Sequence, residues 1–251
     1  MSQVIRVDKT SPHTPATRNK AAIVTGGAAI ALAILFNVPF STLASIYQYP
    51  DILRRPAGEA LDLFASGGSV LVLTWYAFAI AALALAPMAL ALSITPERLR
   101  YAPALSIGAA LFGALAGVMQ AIGLLRWVFA IPAVAAAHAD PAASDTVRYQ
   151  AERTFDLLNA WGGVAIGEHL GQLLTVFFVL FLAIIQWSEN ARIVAITGFV
   201  TSAAIAIGTG EGLALVLGGD GEMFSLATIA GFMGLTLWLI LTGVKLIRTG
   251  Q

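Results

Sequence analysis

Apolar and polar residues fall into long separate blocks along this chain. Six stretches, near 21–46, 67–94, 104–131, 161–187, 192–217 and 223–247, are almost wholly apolar and are divided by polar punctuation. A helix needs about 20 mostly apolar residues to cross the hydrocarbon of a bilayer, so each block is long enough. Membrane strands would read as alternating segments of about 10 residues, and none is present. Lipid offers no hydrogen bonds to exposed backbone, which leaves a helical bundle as the spanning structure. The pattern predicts an all-α, polytopic membrane protein with six transmembrane helices.

Two connections carry their own periodicity. After Pro56, the apolar residues Ala57, Ala60, Leu61 and Phe64 follow i, i+3, i+4, i+7, while Glu59 and Asp62 face elsewhere. Asp140-Pro141 precedes a second stripe, Val147, Ala151, Thr154, Phe155 and Leu158, set against Arg148, Glu152, Arg153 and Asp156. These predict two outer amphipathic helices, near 54–66 and 140–160, lying as caps on the bundle mouth. Plain solvated connecting helices would show the same periodicity. Residues 1–20, rich in Ser, Thr and Pro, are expected to be a disordered cytoplasmic tail, and 21–251 a single transmembrane domain. Thr42-Leu43-Ala44 resembles a signal-peptide cleavage site, but the apolar run before it is too long for an h-region, so the first helix is expected to stay.

Composition narrows the function classes. With 58% hydrophobic and 11% charged residues, and 14 Lys and Arg against 14 Asp and Glu, the chain is neither a basic nucleic-acid binder nor a disordered acidic segment. The absence of Cys excludes disulfides, thiolate metal sites and Cys nucleophiles. The basic residues also set an orientation. A cytoplasmic N-terminus places Arg6, Lys9, Arg18, Lys20, Arg98, Arg100, Arg192, Lys245 and Arg248 inside, nine residues, against four outside, Arg54, Arg55, Arg148 and Arg153. That excess favours both termini inside.

A shift of 93 to 94 positions pairs Phe36 with Phe129, Pro39 with Pro132, Leu61-Asp62-Leu63 with Phe155-Asp156-Leu157, Gly68 with Gly162 and Trp75 with His169. Two related hairpins of span, cap and returning span would produce it, and so would chance in an alphabet biased to Ala, Gly and Leu.

Candidate chemistry lies inside the spans, where a charge costs at least about 2.5 kcal/mol near the centre and needs a partner or a role. Arg126, Glu168, His169 and Glu211 all fall roughly 9 to 12 Å below the outer surface at 1.5 Å per residue. Asn37, Trp75, Tyr76, Gln120 and Gln172 lie near that level or slightly deeper. In span four Gly163, Gly167 and Gly171 repeat every four residues, a stripe for close helix approach, with Trp161, Ala165, Glu168, His169 and Gln172 on the opposite arc. Gly113 and Gly117 suggest span three as the close partner. In span five Gly208, Gly210 and Gly212 surround Glu211 and weaken the helix, which fits local unwinding and fits tight packing equally. A purely architectural reading pairs Arg126 with Glu168 or Glu211 and hydrogen-bonds His169 to a carbonyl. The functional reading gives Arg126 an anionic group to bind, Glu168 or Glu211 a proton to exchange and His169 a relay role. A metal would have only His169, Glu168 and Glu211, and haem ligation would need Met119 to meet His169; no cofactor and no metal are expected. The glycines around Glu211 are not a phosphate loop, since no strand precedes them.

Tyr49-Pro50-Asp51-Ile52-Leu53-Arg54, Gly123-Leu124-Leu125-Arg126-Trp127-Val128-Phe129 and Gly167-Glu168-His169-Leu170-Gly171 resemble signature segments of a bacterial six-helix integral membrane family catalogued only as a domain of unknown function. Asp140-Pro141-Ala142 and Phe155 to Asn159 fit as well, so the resemblance covers nearly the whole chain after the tail. It implies a bacterial inner membrane location and brings no reaction or substrate. The expected function is an integral membrane ligand-binding protein, a transporter or sensor, with an outward-facing polar pocket for a small anionic or hydrogen-bonding ligand. Two alternatives stay open: an intramembrane enzyme acting on a lipid or isoprenoid with His169 and Glu168 as acid and base, and an accessory subunit of a membrane complex. The expected partners are membrane lipid, a small-molecule ligand, and another membrane protein or a second copy; nucleic acid is not among them.

Overall fold

A computed structural model describes residues 20–219 and 221–250; the tail expected before residue 20 lies outside the described residues. The helices are α1 (Lys20–Tyr47), α2 (Ala57–Ser93), α3 (Pro96–Tyr101), α4 (Pro103–Phe129), α5 (Ile131–Ala139), α6 (Asp145–Leu158), α7 (Gly171–Ser188), α8 (Arg192–Gly208), α9 (Gly210–Val216) and α10 (Glu222–Thr249). A short 3-10 turn, Asp51–Arg54, follows α1, and a π-helical stretch, Asn159–Leu170, joins α6 to α7. No strand occurs among the described residues. Six helical runs are long and apolar enough to cross a membrane: Lys20–Tyr47, Ala57–Ser93, Pro103–Ala139, Asp145–Ser188, Arg192–Val216 and Glu222–Thr249. The protein is an all-α polytopic membrane protein.

Local sequence sets several boundaries. Thr95 accepts a hydrogen bond from the Arg98 amide ahead of Pro96, which opens α3 with its missing N–H in the one turn that does not need it. Ser144 does the same for α6 by accepting from Val147. Pro132 withholds an amide from the turn around Ala130, and there α4 gives way to α5.

Each span packs chiefly on its sequence neighbours, α1 on α2, α2 on α4, α4 on α7, α7 on α8 and α8 on α10, and α10 returns to α1. The six spans therefore form a ring closed in chain order. At the end holding the start of α1 and the finish of α10, called here the terminal end, the interior is filled by Leu32, Leu85, Ala89, Phe178, Leu182, Trp238 and their neighbours. Toward the opposite, distal end it becomes aromatic, with Tyr47, Phe64, Trp75, Trp127 and Phe155 in one cluster. Trp75 and Trp127 stack 4.8 Å apart at 9°, an arrangement that adds to the area the rings bury.

Both caps run into the following span without a loop. In α2 the cap and span two meet at Gly68, whose φ of 58° and ψ of −153° are non-helical and lie outside what a side chain tolerates. The second continues through the π-helical stretch into α7, and Gly162 lies in that stretch. Both distortions thus fall at the glycines aligned by the 94-residue shift. The buried His138 of α5 ties the caps together: its Nδ1 lies 2.9 Å from Asp62 of α2 and its Nε2 3.2 Å from Glu152 of α6.

Candidate functional site

Above the apolar plug of the terminal half the ring encloses a cavity of about 240 Å³. Its walls come from every span. Asn37 and Phe40 descend from α1, Trp75 and Phe78 from α2, and Gln120, Arg126 and Trp127 from α4. Glu168 and Gln172 reach it from the fourth span, Glu211 from α9, and Thr228, Phe232 and Met233 from α10. Tyr49, Leu53 and Arg54 complete it from the turn after α1.

Seven of the nine residues singled out by depth and polarity therefore line one cavity: Arg126, Glu168, Glu211, Gln172, Gln120, Asn37 and Trp75. Two do not. Tyr76 is 44% exposed on the outer surface of the bundle, because one residue along a helix turns about 100° from Trp75. His169 lies 2.9 Å from the Thr209 carbonyl through Nδ1. A carbonyl only accepts, so Nδ1 carries the proton in that bond. The bond is made at Thr209, where α8 passes to α9 with its backbone still in the helical region, and the glycines on either side are places of close packing. There Thr228 fills the space a side chain at Gly208 would need. The acid–base pair of His169 with Glu168 is not assembled on one cavity, and among the described residues no three His, Asp or Glu side chains gather as a metal site.

The electrostatics also differ from simple pairing of Arg126 with a glutamate. Arg54, which the sequence places in an outer connection, turns inward and holds both carboxylates: Nη2 is 2.5 Å from Glu211 and 3.5 Å from Glu168, and Nε is 3.1 Å from Glu211. Burial disfavours the Arg54 charge, but Glu168 and Glu211 outweigh it and leave the group more basic than a free arginine. Burial, with Glu168 beside it, pushes the Tyr49 hydroxyl up and keeps it neutral. Ile52 and Leu53, both buried, anchor this turn, and an apolar pair between Asp51 and Arg54 was the available sign that the loop folds back into the protein.

Arg126 is left without a carboxylate. It donates through Nη2 to Asn159 Oδ1 at 2.9 Å and through Nη1 to the Gly123 carbonyl, and its guanidinium carbon lies 5.0 Å from the Trp127 ring centre. No described Asp or Glu comes within 4 Å of it. Its Nε is shielded from solvent with no hydrogen-bond partner, as are three other polar atoms on the cavity wall: Trp75 Nε1, Gln172 Oε1 and Thr228 Oγ1. The glycine stripe of span four makes room for this arginine. A side chain at Gly163 would collide with the Arg126 guanidinium, and one at Gly167 would collide with Gly123. The close partner is span three, as its glycines suggest, but through Gly123 and Gln120; Gly113 and Gly117 pack on Ala89, Phe178 and the Ala82–Leu85 turn.

The sequence profile of DUF4386, a domain of unknown function, matches residues 24–243. The chain belongs to this family. The match takes in all six spans and every cavity residue named above. No curated protein and no solved structure matches the chain.

Proposed function

We propose that this DUF4386 chain is a ligand-binding membrane protein, a transporter or sensor, whose cavity receives a small ligand through an anionic or hydrogen-bonding head. One observation carries the reading: Arg126 has no carboxylate partner although two glutamates lie in the same cavity, because Arg54 holds both. A buried cation that makes no direct ion pair is costly, and an anion placed against it relieves that cost. The planar guanidinium favours a carboxylate or phosphate oxygen pair. Trp75 Nε1 adds a donor, Gln172 Oε1 an acceptor, and Phe40, Phe78, Trp127 and Phe232 an apolar lining. That mix suits a ligand with one polar head and an apolar body.

The bacterial inner membrane, with both termini cytoplasmic and the distal end facing outward, is the location we propose on the excess of basic residues at the terminal end. The reading is tested with detergent-purified protein by following thermal unfolding against added inorganic phosphate and glycerol phosphate. Wild-type protein is expected to be stabilised by at least one of them, and Arg126→Ala to need at least about tenfold more of it, the factor that follows from losing one charged hydrogen bond. Equal responses of the two proteins to these probes and to an anionic lipid would overturn the reading.

A further inference from the structure

The cavity has a side wall that faces lipid. Asn37 of α1 and Thr236 of α10 line it from within, and the same two residues, with Ile34, Val38 and Ile240, line a groove on the outer surface of the bundle. Asn37 is exposed there, and Met233, another cavity residue, is 68% exposed. Asn37 Nδ2 donates across this seam to Thr236 Oγ1 at 2.9 Å. An amide at mid-span on a lipid-facing surface is expensive, and the second bond of its Nδ2, to the Ala33 carbonyl at 2.7 Å, stays within α1 and does not close the wall.

The packing of α10 accounts for the seam. In its terminal half α10 presses on α1 so closely that a side chain at Gly26 would come within 2.5 Å of the Gly243 carbonyl. It presses on the fifth span along both halves: Trp238 meets Gly198, Gly234 meets Thr201, Gly231 meets Ile205, and Thr228 meets Gly208. The glycine-to-glycine contact of α10 with α1 thus lies at the terminal end, below the seam, whereas its contact with the fifth span runs on past it. Pro39, inside α1 just past Asn37, removes a backbone hydrogen bond from the same region.

Building on the proposed anion site, we infer that the ligand is an anionic amphiphile of the bilayer, which passes sideways between α1 and α10 to put its head on Arg126 while its chain stays in the groove at Asn37. Volume and charge carry this choice of occupant. A cavity of about 240 Å³ lies below the roughly 300–1,000 Å³ of pockets that enclose a drug-sized ligand. It holds a head group and leaves long chains outside, and the wall beside it opens on hydrocarbon. Arg126 supplies the positive charge for the head.

The test uses the full chain, which has no native Cys, in phosphatidylcholine vesicles doped with phosphatidylglycerol carrying a photoreactive group in its acyl chain. In wild-type protein labels are expected on Ile34, Val38 and Met233, and Arg126→Ala is expected to lower them about tenfold or more. In Asn37→Cys/Thr236→Cys protein, bridging the pair with a short thiol-reactive crosslinker is expected to abolish labelling relative to the same protein before bridging, a comparison that does not depend on how the double substitution affects folding. Labelling unchanged by the bridge, with the Arg126 dependence intact, overturns the lateral route and leaves the anion site standing. Glycerol phosphate, without a chain, stabilising the detergent-purified protein while the lipid leaves no Arg126-dependent label identifies a soluble anion and overturns the inference alone. If neither glycerol phosphate nor the lipid distinguishes Arg126→Ala from wild type, the inference falls together with the anion site.

Discussion

The two ends of the bundle treat buried arginine in opposite ways. At the terminal end Arg98 is buried and fully matched: Nε and Nη2 lie 2.6 and 2.9 Å from the two oxygens of Glu189, and Nη1 donates to the Leu92 carbonyl. Lys245, 2.8 Å away, and the Tyr101 hydroxyl, also at 2.8 Å, complete the shell of Glu189. Gln186, Trp238 and Thr242 form a satisfied chain in the same half. At the distal end Arg126 has Asn159 and a carbonyl but no direct anion, and the buried polar atoms without partners, Arg126 Nε, Trp75 Nε1 and Gln172 Oε1, belong to residues of the same cavity wall. Unmatched hydroxyls at Ser93, Ser106 and Thr201 occur elsewhere, but a hydroxyl can turn to its own helix's carbonyls, whereas the Arg126 Nε is left over with Nη1 and Nη2 already bonded. One network is complete in itself and locks helices together. The other is complete only with a further group, and that difference is what points to a site.

The sharpest break of this comparison is Glu189→Gln. It leaves Arg98 and Lys245 facing each other without a counter-charge, and a loss of about 3–5 kcal/mol in detergent-phase stability is expected. Thermal or denaturant unfolding measures it; a loss below about 1 kcal/mol would mean that the terminal lock is not one. Next, Gly26→Ala forces a methyl against the Gly243 carbonyl, with an expected cost of about 1–3 kcal/mol, whereas Gly27→Ala meets nothing within 4 Å and should be neutral or slightly favourable. Equal effects of the two would contradict the tight α1–α10 contact at that end.

Acid probes the lock more gently. Burial alone would raise the Glu189 pKa, but Arg98 and Lys245 overcome it and hold it at about 2, below the 4.5 of a free group. Its contribution to stability is therefore complete above about pH 4.5 and fades as pH falls toward about 2. Comparing unfolding midpoints of wild type and Glu189→Gln across that range should show a gap that narrows with acid; a constant gap would assign the loss to packing. The smallest effect is expected at the other end. Arg126→Met removes a buried charge that makes no direct ion pair, and Arg54 stays beside both glutamates, so stability without ligand should fall by only about 1 kcal/mol. A loss as large as that of Glu189→Gln would make Arg126 a structural lock like Arg98.

The spans were legible because lipid imposes one rule on every residue of a block, and their bounds agree with the helices to within a few residues except where caps join spans without a break. The joins are hidden in the sequence because a glycine does not announce whether it reverses φ, as Gly68 does, or lies in a widened turn, as Gly162 does. For the cavity, depth identified Arg126, Glu168 and Glu211, but depth does not determine direction. His169 was placed with Glu168 by assuming about 100° per residue, and the fourth span there is π-helical, where i→i+5 bonding changes the angular step. Arg54 was counted only as a loop charge, because hydropathy gives a loop no depth; that the turn re-enters the bundle follows from contacts of Ile52 and Leu53 with distant helices.

The closed ring has a consequence for how the protein is made. Spans one to five each meet the next neighbour as soon as it is synthesised, so most of the wall assembles from contacts local in sequence, the kind that form fastest. The last helix makes two joins at once, to α8 and to α1, and only the second links segments at opposite ends of the described chain. Until α10 is in place the other five spans are an open horseshoe, and the seam beside Asn37 is one edge of the gap that α10 closes.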